Sequence, residues 1–171
     1  KPAGPVNVTV MALNDFHGNL EATGFAGVKV PDPKDPAKTV NLPAGGAELI
    51  GGYLEQERAK NPNVLFVGAG DLIGASPVTS SLLRDEPTVI ALSKMGMKAS
   101  SLGNHEFDQG FADLTGRIAP RSTYPNLGAN VYKKGTTEPT LPEYTVKTVN
   151  GVRVGVVGAV TSETRTKVSP D

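Results

Sequence analysis

The run VLFVGAG at residues 64–70 constrains the fold more than any other stretch of the chain. Its apolar residues are continuous rather than alternating, and the run ends in glycine next to Asp71. A strand with one solvated face alternates apolar and polar residues, whereas a strand of a parallel sheet is covered on both faces and is apolar throughout. The run therefore predicts a buried parallel strand with Asp71 at its C-terminal end.

Helices are predicted between this strand and its neighbours. An apolar stripe at helical spacing predicts a helix over 47–60, which ends at the Asn61-Pro62 pair. The proline-rich stretch from Gly18 to Gly46 lacks a helical period and is predicted to be a surface loop. The other predicted elements are strands at 6–14, 99–102 and 126–131, helical pieces at 77–84, 87–97 and 109–119 (the last ending at Pro120), and two strands within 144–160 joined by an Asn150-Gly151 hairpin turn of type I′.

Strands and helices alternate along most of the chain, which favours an α/β fold with a largely parallel sheet and a C-terminal antiparallel hairpin. The 171 residues are enough for one domain with a substantial core. Seventeen basic and seventeen acidic residues cancel, so no charge field points to nucleic acid or to a membrane surface as a partner. There is no cysteine for a disulfide or a thiolate metal site, and no apolar run of about 18 residues that would span a membrane.

Polar residues follow the ends of three predicted strands. Ligands of open α/β sheets bind beyond the carboxyl ends of the strands, so these residues are expected to meet at one rim. Gly68, Gly70 and Gly103 leave room there for close approach of backbone and ligand. The polar residues are Asp15 and His17 in NDFHGN, Asp71 in GAGD, and Asn104, His105 and Asp108 in GNHEFD.

The first four of these residues are candidate metal ligands. In extended chain, Asp15 and His17 point to the same side and can hold one ion. Asp71 can bridge two ions through its two oxygens, and Asn104 offers a neutral carbonyl oxygen. Such mixed ligation suits zinc, manganese or iron. Two ions about 3.5–4 Å apart would clamp a phosphoryl group and activate a water.

His105 need not be a ligand and is the candidate general acid. Its imidazole can donate a proton to a leaving oxygen, while Asp108 holds the other ring nitrogen and fixes the tautomer. Glu106 is interpreted as structural or exposed. Simpler alternatives stay open for each motif: turns for the Asp15–His17 and Asn104–His105 pairs, a turn or a helix cap for Asp71, and a cap of the helix beginning near 109 for Asp108.

The segments NDFHGNLE, GAGDLIGAS and SLGNHEFDQG resemble the first three motifs of the calcineurin-like metallophosphoesterases. More narrowly, they resemble the bacterial 5′-nucleotidase and 2′,3′-cyclic-nucleotide 2′-phosphodiesterase branch, over roughly Val8 to Val160. The resemblance implies a β-sandwich flanked by helices and hydrolysis of nucleotide phosphate esters in the periplasm, in the cell wall or outside the cell. It also implies a centre of two divalent ions, with Asp15 and His17 on one ion, Asp71 bridging, Asn104 on the other, and His105 with Asp108 as the catalytic dyad.

The chain departs from that family in its later motifs. In that family, two or three further histidine ligands come from later motifs, one of them a Gly-His-x-His sequence. This chain has two histidines in all, both already assigned, and no Gly-His-x-His sequence. A second ion would then have only Asp71 and Asn104, so a half-site is expected. We interpret residues 1–171 as the N-terminal part of the catalytic domain, without its later motifs or the C-terminal nucleotide-binding domain, and with an apolar surface that would favour self-association. The alternatives are a phosphoesterase acting on other esters, and a non-catalytic metal-binding or interaction fragment.

Overall fold

The computed structural model describes residues 4–168, and within that range the side chains of 23–28 and 43 lie outside the description. The elements follow the predicted alternation of strands and helices. The strands are β1 Thr9–Leu13, β2 Thr23–Asp32, β3 Asp35–Ala44, β4 Val64–Ala69, β5 Ser100–Ser101, β6 Asn126–Leu127, β7 Tyr144–Val149 and β8 Val152–Val157. The α-helices are α1 Ala47–Lys60, α2 Val78–Ser81, α3 Glu86–Lys94, α4 Phe111–Asp113, α5 Ala119–Arg121 and α6 Thr164–Lys167, with a 3₁₀ turn at His105–Phe107 and a π-helical turn at Leu114–Ile118.

The main sheet has the strand order β1-β4-β5-β6, and all its pairings are parallel. The predicted buried strand is β4, in which Leu65 and Phe66 are each 2% exposed. The prediction of an α/β fold with a parallel sheet and a C-terminal antiparallel hairpin is confirmed. Because all four strands run the same way, the chain leaves β1, β4 and β5 at one edge of the sheet.

Two apolar clusters anchor the loops at that edge. Phe16 lies between Asp15 and His17 in the chain and packs into the cluster that holds Leu54, Phe66 and Leu92. The second cluster contains Ile73, two residues after Asp71. Burying one such side chain contributes about 1.5–3 kcal/mol. The polar residues at the rim are therefore attached to side chains in the core.

The predicted surface loop between Gly18 and Gly46 is wrong in its main part, because residues 23–44 form the antiparallel ribbon β2–β3. Proline removes a backbone N–H, which excludes it from central strands. A two-stranded ribbon has two outer sides where that N–H needs no partner, so it accommodates proline. The pairing shifts register between Pro31 and Asp32, beside the turn.

Two further elements bear on the predictions. The expected helix end at Pro120 is wrong, because α5 runs through Pro120 to Arg121. A π-helical turn directly precedes α5, and widened turns of this kind occur where the regular ladder is interrupted. The Asn150-Gly151 hairpin is confirmed, with φ of 45° and 79° at the two turn residues, as type I′ geometry requires.

The hairpin β7–β8 is attached to the end of β6. The Ala129 N–H donates to the Gly158 carbonyl at 2.6 Å, and the Gly128 N–H donates to the Pro142 carbonyl at 3.0 Å. Within residues 4–168, none of the helices has the length and apolar character needed to cross a bilayer.

Candidate metal centre

Asp15, His17 and Asp71 converge at the carboxyl edge of the sheet. One ligand atom from each side chain lies within 4.8 Å of the others. Backbone bonds hold the two loops together, since the Asp15 N–H donates to the Gly70 carbonyl at 3.1 Å and the His17 N–H donates to the Asp71 carbonyl at 3.0 Å. The three side chains expected to share an ion therefore do meet.

The backbone that brings them together is not the extended chain that we predicted. Asp15, His17 and Asp71 have φ values of 50°, 45° and 51°, in the left-handed region. Such a conformation costs a non-glycine residue of order 1–3 kcal/mol and persists only where the surroundings enforce it. Asp15 and His17 do converge, as expected. The reason that we gave is wrong, because they are not alternate residues of an extended strand. The convergence depends on the bonds between the two loops.

The His17 ring is oriented by a backbone carbonyl. Its Nδ1 lies 2.8 Å from the Gly74 oxygen, and because a carbonyl only accepts, Nδ1 carries the proton. In a neutral ring the lone pair is then on Nε2, which lies 3.9 Å from Oδ1 of Asp15. Ligating histidines commonly bind a carbonyl or carboxylate through the second nitrogen. The donor set of one oriented imidazole and two carboxylates fits a divalent transition ion.

Asp85 supports this carbonyl, and the sequence analysis did not identify it. Its Oδ2 accepts the Gly74 N–H at 3.1 Å, and its Oδ1 accepts the Ser80 hydroxyl at 2.6 Å. The Ser80 hydroxyl is also 2.6 Å from that of Thr88, and both residues are fully buried. Although Asp85 stands at the start of α3, its side chain does not cap that helix. It instead holds the peptide that orients His17, a role that no local sequence pattern indicates.

The loop after β5 lies against Asp71. The His105 N–H donates to Oδ1 of Asp71 at 2.9 Å. A methyl group on Gly103 would overlap the Asp71 carboxylate, so this position requires glycine. Asn104, the predicted ligand of a second ion, follows Gly103 directly and is half-buried. Asp71 is the residue shared between the two loops, as a bridging ligand would be.

His105 and Asp108 form the predicted pair, with Nδ1 of His105 2.7 Å from Oδ2 of Asp108. The alternative that Asp108 caps the next helix is wrong, since α4 begins at Phe111 after Gly110. The hydrogen bond to Asp108 raises the pKa of His105 above its ordinary 6.5, and partial burial opposes that rise. The His105 ring also meets the His17 ring edge to face, with centroids 4.8 Å apart. The pair therefore adjoins the carboxylate–imidazole cluster.

A cavity of about 280 Å³ opens beside this pair. His105 and Asp108 line it together with Arg84, Asp113 and Arg117. Arg117 donates from Nε to Asp113 at 2.7 Å, and Arg84 donates to the same carboxylate at 2.8 Å. These ion pairs form part of the cavity wall, where they hold α4 near the start of α3.

Comparison with known proteins gives relatives along nearly the whole chain, although no protein-family model matches it. An uncharacterised protein in the pqq-V 5′ region of Acinetobacter calcoaceticus is 40% identical over 164 residues, which cover 85% of this chain and 80% of that protein. Endonuclease YhcR of Bacillus subtilis is 34% identical over 99% of this chain and 14% of its own length. A 5′-nucleotidase of Diplobatis ommata is 30% identical over 98% of this chain and 28% of its own length.

Solved structures of similar fold include two nucleotidases. The chain superposes on a 5′-nucleotidase precursor from Thermus thermophilus with a TM-score of 0.69 and 26% identity, covering 92% of this chain and 29% of that one. It superposes on the NAD nucleotidase of Haemophilus influenzae with a TM-score of 0.75 and 23% identity, covering 92% and 27%. The chain thus spans less than a third of the length of each of the four enzymes named above.

Proposed function

We propose that the chain belongs to the 5′-nucleotidase branch of the calcineurin-like phosphoesterases, as an N-terminal part, and that it contributes to metal-dependent hydrolysis of phosphate esters of nucleotides. The observation that supports this most is the cluster of Asp15, His17 and Asp71, with the free Nε2 of His17 facing Asp15. A capping turn needs no such cluster, and backbone strain of this kind is found most often at functional sites.

Asp15, His17 and Asp71 would hold one divalent ion, and Asp71 with Asn104 would hold part of a second. Zinc, manganese and iron all suit these donors. When bound, such ions supply Lewis acidity to the phosphoryl group and to the attacking water. Asp71 suits the shared position because its carboxylate already faces the loop of Asn104 and His105, through the bond from the His105 N–H.

His105 and Asp108 would handle the proton of the leaving group. The aspartate accepts from Nδ1, which leaves Nε2 of His105 to face the substrate. Because its pKa is raised, a larger fraction of the His105 ring is protonated at neutral pH than of a free histidine. A proton donor to a leaving oxygen must carry that proton. Asp108 holds the ring in place and stabilises its charged form.

The second ion would be held more weakly than the first. Two oxygen donors, one of them neutral, hold a transition ion poorly in water. We infer a half-site in residues 1–171, with the remaining ligands of a two-ion centre coming from protein outside these residues. Self-association of the chain is one way in which an exposed face of such a piece would be covered.

The proposed substrates are phosphate esters of nucleotides. Nucleoside monophosphates and 2′,3′-cyclic nucleotides are the leading candidates, at a periplasmic, cell-wall or secreted location. The relative named as an endonuclease makes a polynucleotide worth including in any assay. Other esters, and a non-catalytic metal-binding role, are the competing outcomes.

Turnover assays with metal separate these possibilities. The chain would be supplied with Mn²⁺ and tested on AMP, 2′,3′-cyclic AMP, bis-p-nitrophenyl phosphate and single-stranded DNA, alongside Asp71→Ala, His105→Ala and the control Asp35→Ala, whose carboxylate pairs with Lys38. Mn²⁺-dependent turnover that both site variants lose and the control keeps would support catalysis by this chain. Metal binding at one ion per chain or less, without turnover, would support the half-site. Turnover that both site variants retain would contradict the proposal.

A further inference from the structure

Glu106 is a buried carboxylate that binds three backbone N–H groups from two loops. Its side chain is 6% exposed. Oε2 accepts from Asp71 at 3.0 Å and from Gly103 at 2.6 Å, and Oε1 accepts from Leu72 at 2.8 Å. An ionised carboxylate only accepts hydrogen bonds, so all three donors match its chemistry.

The parallel sheet alone ties these loops together weakly. β4 and β5 pair through only Gly68 with Ser100 and Ala69 with Ser101. Beyond that point the chain leaves the sheet on both sides, and Asp71 takes a left-handed conformation. Glu106 continues the connection where the strand ladder stops.

The contacts between Asp71 and the 105–106 segment are reciprocal. The Asp71 N–H donates to the Glu106 side chain, and the His105 N–H donates to the Asp71 side chain. Each loop therefore fixes the other, in the manner of the reciprocal bonds of a helix capping box. A substitution at Glu106 would therefore affect the position of His105 in two ways. One is through the hydrogen bonds of Asp71, and the other is through the backbone that joins the two neighbouring residues.

We propose that Glu106 is a positioning residue, which holds the Asp71 carboxylate at the metal cluster and in register with His105. This inference rests on the proposed function, and it assigns to Glu106 no contact with substrate or ion. Burying a carboxylate is costly, and its three N–H donors offset that cost, since an apolar side chain here would leave them unpaired. The donors are Asp71 itself, its neighbour Leu72, and Gly103, where a methyl group would overlap the Asp71 carboxylate. The geometry therefore points to a demand for one fixed placement of Asp71.

Glu106→Gln is the nearest isosteric test. The amide has one acceptor oxygen and one NH₂ group, so at least one of the three N–H donors would face another donor. Glu55→Gln is the matched control, because Glu55 is exposed and pairs only with Arg58 among the described side chains. Mn²⁺ affinity by titration calorimetry, the thermal midpoint, and amide exchange by NMR would be measured for all three chains.

We expect Mn²⁺ to bind about 10–100-fold more weakly to Glu106→Gln, the range seen when a partner of a metal ligand is lost. We also expect faster exchange of the His105 amide. This amide donates to the Asp71 carboxylate and makes no bond to Glu106. The control should match the unmodified chain in both. A lowered thermal midpoint with unchanged Mn²⁺ affinity and unchanged His105 exchange would show a merely structural role and overturn the inference.

The amide readout keeps the test separate from the proposed function. If the unmodified chain binds no Mn²⁺, the proposed function fails, while exchange at His105 in the metal-free chain still decides the placement of Asp71. Accelerated exchange in Glu106→Gln alone would support the positioning role. Equal exchange in all three chains would contradict it.

Discussion

Nδ1 of His17 lies 2.8 Å from the carbonyl oxygen of Gly74, and this bond decides which ring nitrogen is available to a ligand. The Gly74 peptide is held in turn by Asp85, which accepts its N–H at 3.1 Å. The orientation of one candidate ligand thus depends on a carboxylate eleven residues further along the chain than Gly74.

Asp85→Asn should weaken metal binding without changing the backbone. Asp85 has a φ of 64°, and asparagine tolerates this left-handed conformation, so the variant isolates the loss of charge and of one acceptor. A weakened hold on Gly74 frees the His17 ring, and we expect Mn²⁺ affinity to fall several-fold by calorimetry. Asp35→Asn, at a half-buried position that pairs with Lys38, should leave the Mn²⁺ affinity unchanged. Equal affinities in both variants would contradict this account of Gly74.

Asp108→Asn should lower the pKa of His105 in the metal-free chain. The hydrogen bond that Asp108 accepts from the ring is the largest cause that raises this pKa above 6.5. NMR titration of the His105 ring should therefore show a midpoint above 6.5, which falls in the variant. Because the folded-state pKa is raised, the stability that the pair contributes is full below the unfolded pKa and is lost as pH rises through the folded one. A midpoint that the variant leaves unchanged would rule out the pairing.

Gly103→Ala should disturb the site by sterics alone. An added methyl group would overlap the Asp71 carboxylate, whereas the same change at Gly116 meets nothing within 4 Å. We expect Gly103→Ala to lower the free energy of unfolding and the Mn²⁺ affinity together. Gly116→Ala, in the π-helical turn, should be neutral or stabilising by up to about 1 kcal/mol. Urea unfolding and calorimetry check both changes, and a neutral Gly103→Ala would mean that the loops lie further apart than described.

Asp113→Asn should destabilise the chain in a pH-dependent way. The hydrogen bond from Arg117 is the main cause that lowers the pKa of Asp113 below 3.8, so its stabilisation is present above the unfolded pKa and is lost as pH falls through the folded one. Both side chains are largely buried, at 16% and 13% exposure. We expect a loss of about 1–3 kcal/mol at pH 7 that shrinks toward pH 3 in urea unfolding. A difference independent of pH would contradict the assignment.

The sheet and the location of the site could be predicted because each rests on a local pattern. An apolar run ending in glycine is typical of a buried parallel strand, and polar residues after such strands meet by the geometry of the sheet. The helix over 47–60 was predicted with the observed bounds, since its stripe and its Asn61-Pro62 stop are both local signals. The ribbon β2–β3 was not predicted, because its prolines indicate a loop when the sequence is considered alone. Proline is tolerated in strands only at outer sides such as those of a two-stranded pairing.

The roles of Asp85 and Glu106 could not be predicted, because each depends on contacts with a distant part of the chain. Glu106 binds amides 34 and 35 residues away, and nothing in GNHEFD separates it from an exposed glutamate. The left-handed backbone of Asp15 and His17 is likewise set by bonds between two loops. Our prediction assumed extended chain at both residues, and no local pattern indicates otherwise.

The central claim is that Asp15, His17 and Asp71 together hold a divalent ion, and calorimetric titration with Mn²⁺ tests it most directly. His17 would be changed to alanine and compared with the unmodified chain and with Asp35→Ala. The account predicts about one ion per chain for the unmodified and control proteins and loss of that binding in His17→Ala. Binding of equal stoichiometry and affinity in His17→Ala would contradict it.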